Sequence, residues 1–140
     1  MQTAQQIVTA LWWQEYRPLC DVFVSGLVDN EIKQGDNNAV RRRQEAVAIL
    51  PRMQITDEAD ALALRLLQAH ALPRNAGDDA LHVALAAVHE MDILVTWNCR
   101  HIANSIMEPK IVTTIVEAGY TPPLIMTPEK ILKAPIGELP

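Results

Sequence analysis

Two side chains three residues apart, Asp79 and His82, put a carboxylate and an imidazole on one face of a predicted helix. Two chemistries are open to them. Asp78 and Asp79 suit the positive end of a helix dipole, Asp78 as cap and Asp79 as complement, a role worth about 0.3–1 kcal/mol. Alternatively, Asp79 points into a cleft as a cation ligand or acid–base group, with His82 beside it. A hard cation such as Mg2+ or Mn2+ takes oxygen ligands, so further carboxylates must then converge there. Glu31, between Asn30 and Ile32 on another predicted helix, is one source, against the reading of a solvated helix glutamate. Asn98 is a third candidate because it follows Trp97 at the carboxyl end of a predicted strand. It either makes a turn or offers its amide oxygen to a metal-bound water.

Other chemistry is less well supported. His70, His82, His89 and His101 do not form a zinc motif, since His82 and His89 are seven residues apart rather than four. Cys20 and Cys99 have neither metal-ligand spacing nor a neighbouring base. The five glycines are scattered, so no phosphate-cradling loop is present. Arg41-Arg42-Arg43 reads either as a solvated helix face or as a patch that contacts phosphate.

The elements that must hold these residues follow from hydrophobic spacing. Ile7, Val8, Leu11 and Trp12 predict a helix over Thr3–Tyr16, ended by Pro18. Asp21-Val22-Phe23-Val24 predicts a short strand buried on both faces, because it lacks alternation. Ser25 then caps a helix with Leu27, Val28 and Ile32 on its apolar side; Gly35 stops it and Asp36 caps the next, which runs to about Leu50. Met53–Thr56 predicts a strand. Thr56 and Asp57 open a helix with Leu62, Leu66 and Ala69 on one side. After a loop over 73–77, the helix Ala80–Glu90 is apolar nearly all round and so must be buried on most sides. Asp92–Trp97 is the clearest strand, followed by a polar segment, Asn98–Ser105. A helix over Glu108–Ala118, a strand over Leu124–Thr127 and a last short helix opened by Thr127-Pro128-Glu129 complete the series. Such alternation predicts an α/β fold with a mainly parallel sheet, whose ligands bind outside the carboxyl ends of the strands.

The 140 residues suffice for one domain, read as residues 1–134 with a loose tail over 135–140. Apolar residues make up 49% and charged residues 21%, an ordinary globular composition. No apolar run approaches the ~18 residues of a membrane span, so no membrane partner is expected. The two cysteines are too few for a disulfide scaffold, and a reducing cytoplasm suits them. The net charge of −5 means that bulk electrostatics would not hold this surface on a polyanion; nucleic-acid contact needs a local basic patch or a bound cation.

Three stretches carry a family resemblance: Phe23-Val24-Ser25 with Glu31-Ile32; Gly77-Asp78-Asp79-Ala80-Leu81-His82-Val83-Ala84-Leu85-Ala86; and Asp92-Ile93-Leu94-Val95-Thr96-Trp97-Asn98-Cys99-Arg100-His101-Ile102-Ala103-Asn104. Together they resemble the PIN domain family, especially the VapC-like ribonucleases of toxin–antitoxin systems. The resemblance implies a three-layer α/β/α fold with a mainly parallel sheet. It also implies Mg2+- or Mn2+-dependent endoribonuclease activity from clustered acids: Glu31, Asp79 and Asn98 as catalytic residues, with Glu31 and Asp79 holding the metal. Asp78 is a further recruit. Asn98 stands where many members carry Asp, and an amide ligates a cation less strongly. RNA, an antitoxin protein and a second copy in a homodimer are the implied partners, in the cytoplasm. The chain departs from the pattern at its beginning. A PIN domain opens with a central strand bearing an acidic residue, whereas Met1–Thr9 reads as helix and the first acid is Glu15. The chain thus resembles the family from its first helix onward, lacking that strand. This leaves a second expectation, a catalytically impaired or inactive PIN-like binding module.

Overall fold

The computed structural model describes residues 3–133. In chain order these form α1 (Ala4–Glu15), a 3-10 turn at Arg17–Leu19, β1 (Val24–Ser25), α2 (Gly26–Glu31), α3 (Asn37–Ala48), β2 (Arg52–Met53), α4 (Asp57–Gln68), α5 (Gly77–Val88), β3 (Ile93–Val95), α6 (Glu108–Glu117), β4 (Leu124–Met126) and α7 (Pro128–Lys133). The expected α/β class is observed. The tail over 135–140 lies outside the described residues.

The core is set by α5. Its apolar residues circle the helix, and it buries Ala80 and an unbroken run from Val83 to Ala87. The alanines among them present little bulk to α4, whose Ala59, Leu62, Ala63 and Leu66 are buried in turn. Leu62, Leu66, Val83, Ile102, Ile111, Ile115 and Ile125 belong to one continuous cluster. Three helices of this half end alike, with paired backbone bonds closing the last turn: Ala71 N–H donates to the Leu66 carbonyl, Met91 N–H to Ala86, and Tyr120 N–H to Ile115. Each such end requires one residue at positive φ. Gly119 (φ 93°) meets the requirement without strain, whereas His70 (φ 58°) and Glu90 (φ 59°) meet it as side-chain-bearing residues.

The strands make two separate parallel pairs. β1 pairs with β2 through Val24 with Arg52 and Ser25 with Met53, and α2 and α3 form the crossover. β3 pairs with β4 through Ile93–Leu124, Leu94–Ile125 and Val95–Met126, with α6 as crossover. Parallel neighbours need such connections. Among the described residues, α1 is the first element and no strand joins the two pairs.

Several sequence expectations need correction. The strand at Asp21–Val24 is not buried on both faces: only Val24 and Ser25 pair, Val22 and Val24 are half-buried, and Phe23 is exposed. Among the described residues, no strand pairs along its other edge. β2 is Arg52–Met53 rather than Met53–Thr56, and β3 is shorter than Asp92–Trp97. Ser25 is an N-cap in backbone only; its hydroxyl is buried and makes no hydrogen bond. Helix α5 starts earlier than expected, at Gly77, after Ala76 as N-cap. Asp78 therefore lies within the first turn and does not cap it. Among the described residues, no helix is long and apolar enough to cross a membrane.

Candidate functional site

Each sequence-predicted residue stands where a strand or helix ends. Glu31 is the last residue of α2, which follows β1 directly. Asp79 sits in the first turn of α5, and Asn98 lies three residues beyond the end of β3. Two histidines connect them. The Glu31 carboxylate meets His82 Nε2 through Oε1 at 2.7 Å. The Asp79 carboxylate meets His101 Nδ1 through Oδ2 at 2.8 Å. Asn98 Oδ1 accepts the His101 backbone N–H at 3.0 Å. Since Asp79 and His82 share one turn of α5, these bonds gather residues from α2, α5 and the segment after β3 into one neighbourhood.

The local sequence explains this placement. Asn98 N–H donates to Thr96 Oγ1 at 2.9 Å, and the Asn98 carbonyl accepts from Ala103 N–H at 2.7 Å. The chain therefore turns sharply after the strand. Ile102, 2% exposed, pins that turn into the core beside His101. His82 rides on α5 next to Val83, which is fully buried. Both imidazoles are largely shielded, with side chains 17% (His82) and 20% (His101) exposed. The carboxylates differ: Asp79 is 23% exposed and Glu31 51%. An open depression of about 270 Å³, lined by Asn75, Ala76, Gly77, Asp78 and Asp79, adjoins the start of α5.

Among the described residues, Asp79 Oδ1 and Glu31 Oε2 have no hydrogen-bond partner. No three His, Cys, Asp or Glu side chains among the described residues converge closely enough to hold an ion by themselves. Glu31 and Asp79 are thus two carboxylates each paired with a histidine, and they do not make a closed cage. Asn98 makes a turn, its amide oxygen accepting the His101 N–H. Asp78 is exposed and makes no hydrogen bond to the cluster.

His101 is the residue that sequence reasoning missed, and His82 was placed beside Asp79 without a partner. A search for zinc spacing sets both aside. The signal that could have found them is positional: His82 follows Asp79 by three residues on a helix, and His101 follows Asn98 by three in a turn. Of the arginine run, Arg43 donates Nη1 to the Ile32 and Gln34 carbonyls, which closes the end of α2, while Arg41 and Arg42 are exposed. Cys20 and Cys99 are exposed free thiols. Comparison of the chain with protein-family models, with curated proteins and with solved structures finds no match.

Proposed function

We propose that this chain is a Mg2+- or Mn2+-dependent endoribonuclease of the PIN/VapC type that hydrolyses RNA phosphodiester bonds. One observation carries the reading. Glu31, Asp79 and Asn98 come from three separate stretches of sequence, and three hydrogen bonds to two histidines tie them to α5 and to the turn after β3. On this reading Glu31 and Asp79 would hold the cation. When bound, such a cation polarises a water for attack and neutralises charge on the scissile phosphate. The chain's own contribution is to fix two carboxylates in register and to close the turn at Asn98. The finer fold belongs to the same proposal: β2–β1 and β3–β4 are the flanks of one parallel sheet in a three-layer PIN-like arrangement, with a position for a central strand between them. RNA is the substrate, an antitoxin protein and a second copy are the partners, and the cytoplasm is the compartment.

A second reading, a PIN-like binding module without catalysis, is favoured by one specific observation. Only two carboxylates of the cluster are present, and each spends one oxygen on a histidine. Incubation of single-stranded RNA with the purified 140-residue chain, with Mn2+ or with chelator, separates the two. The nuclease reading expects cleavage that needs Mn2+ and is lost in Glu31→Gln and Asp79→Asn. RNA bound but left uncut by the parent chain in Mn2+ supports the module, and cleavage surviving both substitutions overturns the assigned site.

A further inference from the structure

We propose that a cavity at the amino ends of β1 and β2 binds an apolar α-amino acid, whose carboxylate meets Arg17 and whose ammonium meets Asp21. The cavity holds about 250 Å³, and its lining includes Arg17, Asp21, Val22, Phe23, Leu50 and Pro51. All of these precede the strands: residues 17–23 lead into β1, and Leu50-Pro51 lead into β2. Glu31 follows the carboxyl end of β1, so the cavity is separate from the candidate site and independent of the nuclease reading.

Local sequence builds this cavity. Pro18 sits in the 3-10 turn between α1 and β1, and the Cys20 N–H closes that turn on the Arg17 carbonyl at 3.1 Å. The opposite wall is fixed by the Pro51 carbonyl, which accepts the Val24 N–H at 3.0 Å, and by buried Leu50. The Arg17 guanidinium lies over the Trp13 ring, 4.7 Å from its centroid. Such stacking holds a guanidinium in place but leaves its in-plane N–H groups to find acceptors. Arg17 Nε is buried without a hydrogen-bond partner, and among the described residues no carboxylate lies within ion-pair distance of Arg17. Asp21, in the same cavity, is likewise without an ion pair among them. A buried donor with no acceptor calls for an explanation, and a ligand anion is one.

The pattern of charge and apolar wall selects the ligand. A lone anion would meet Asp21 as a like charge, and a lone cation would meet Arg17. A zwitterion satisfies both. An α-amino acid carries its carboxylate and ammonium on one carbon, and the arginine fork matches the two carboxylate oxygens. An apolar side chain then suits Val22, Phe23, Leu50 and Pro51. The apolar character continues at the rim, where Phe23 is exposed, as are Leu19 and Ile49, the chain neighbours of Cys20 and Leu50. Size agrees: drug-sized ligands occupy roughly 300–1,000 Å³, and this cavity is smaller.

Titration of the isotopically labelled 140-residue chain with L-leucine, read from its amide resonances, tests the proposal. Saturable shifts are expected at Arg17, Asp21, Phe23 and Leu50, and none at Glu31, Asp79 or His101. L-leucinamide lacks the carboxylate, N-acetyl-L-leucine lacks the ammonium and glycine lacks the apolar side chain; each should bind about tenfold more weakly or worse. Arg17→Gln and Asp21→Asn, with folding verified by circular dichroism, should each weaken L-leucine binding by about tenfold or more. Absence of saturable shifts at the four cavity residues overturns the proposal, as does equal binding of any of the three analogues. L-leucine binding unchanged in either variant overturns it too. The analogue series uses the parent chain alone, so the outcome does not depend on how the variants fold.

Discussion

Residues 3–55 and residues 57–133 share the same alternation of helix and strand, yet they are stabilised differently. In the second region α4, α5 and α6 all contribute fully buried side chains to one cluster. In the first, α1, α2 and α3 contain no buried residue, and Ser25 and Leu50 alone are buried. Ile7, Leu11, Leu19, Phe23 and Ile49 remain exposed. The first region meets the second where α1 packs against α7, and polar side chains add to this: Trp97 Nε1 donates to Thr9 Oγ1 at 2.7 Å, His89 Nε2 meets the Gln54 carbonyl at 2.8 Å, and His82 meets Glu31. A typical hydrogen bond contributes only about 0.5–1.5 kcal/mol net, whereas burying a large apolar side chain contributes about 1.5–3 kcal/mol. Helical sequence alone is therefore no guide to stability; what matters is whether the helix has a face to bury and something to bury it against. The candidate site lies across this seam, with Glu31 from the weakly held region and Asp79 and Asn98 from the firm one.

The largest expected effects come from the core. Leu66→Ala, at a fully buried position, should cost about 2–5 kcal/mol of unfolding free energy in a denaturant titration. Leu11→Ala on α1 should stay within about 0.5 kcal/mol. Equal losses would break the contrast between the regions. Helix caps sharpen it at smaller scale. Thr56 Oγ1 accepts the Ala59 N–H at 3.2 Å, so Thr56→Ala should lower global stability by about 1 kcal/mol. Thr3→Ala removes the capping box of α1, and its effect should be confined to faster amide exchange within that helix. Next, Trp97→Phe removes the bond to Thr9 and should cost about 0.5–1.5 kcal/mol. Hydrogen exchange should rise in α1 and not in α5; a rise in both would mean that the two regions open together.

The smallest effect is a dependence on pH within the first region. Arg52 donates to both oxygens of Asp29, at 2.7 and 3.0 Å. This hydrogen bonding, aided by the guanidinium charge, holds the Asp29 carboxyl below its ordinary value. The pair therefore stabilises the fold above the ordinary aspartate range, and that contribution is lost as pH falls through the lowered value. Because both side chains are partly exposed, the effect should be slight. Asp29→Asn should remove this acid-side component from the pH profile of stability and leave the neutral-pH profile nearly flat.

Legibility in the sequence followed the same division. Helix α5 is readable because its apolar residues run nearly all round it, and α4 because Leu62 and Leu66 recur at helical spacing. The apolar run Val22-Phe23-Val24 was misread as doubly buried because periodicity reports what a strand can bury and not whether a neighbour is there to cover it. The start of α5 was displaced because Asp78 has the chemistry of a cap, while the observed N-cap, Ala76, makes no side-chain bond that a pattern could reveal. For the site, Asp79 at a helix start and Asn98 after a strand are legible, whereas Glu31, expected inside a helix reaching to Gly35, ends α2. Their histidine partners were not, since His82 and Glu31 are 51 residues apart and only tertiary packing brings them together.

The proposed function requires a cation to bind across the seam between the two regions. Mn2+ added in small amounts to the isotopically labelled chain reports this directly, because it broadens the amide resonances nearest to it. The account predicts selective broadening around residue 31 in the first region and around residues 79 and 98–101 in the second, all abolished by Asp79→Ala. Broadening confined to the acidic first turn of α4, at Asp57, Glu58 and Asp60, or an unchanged pattern in Asp79→Ala, would contradict it.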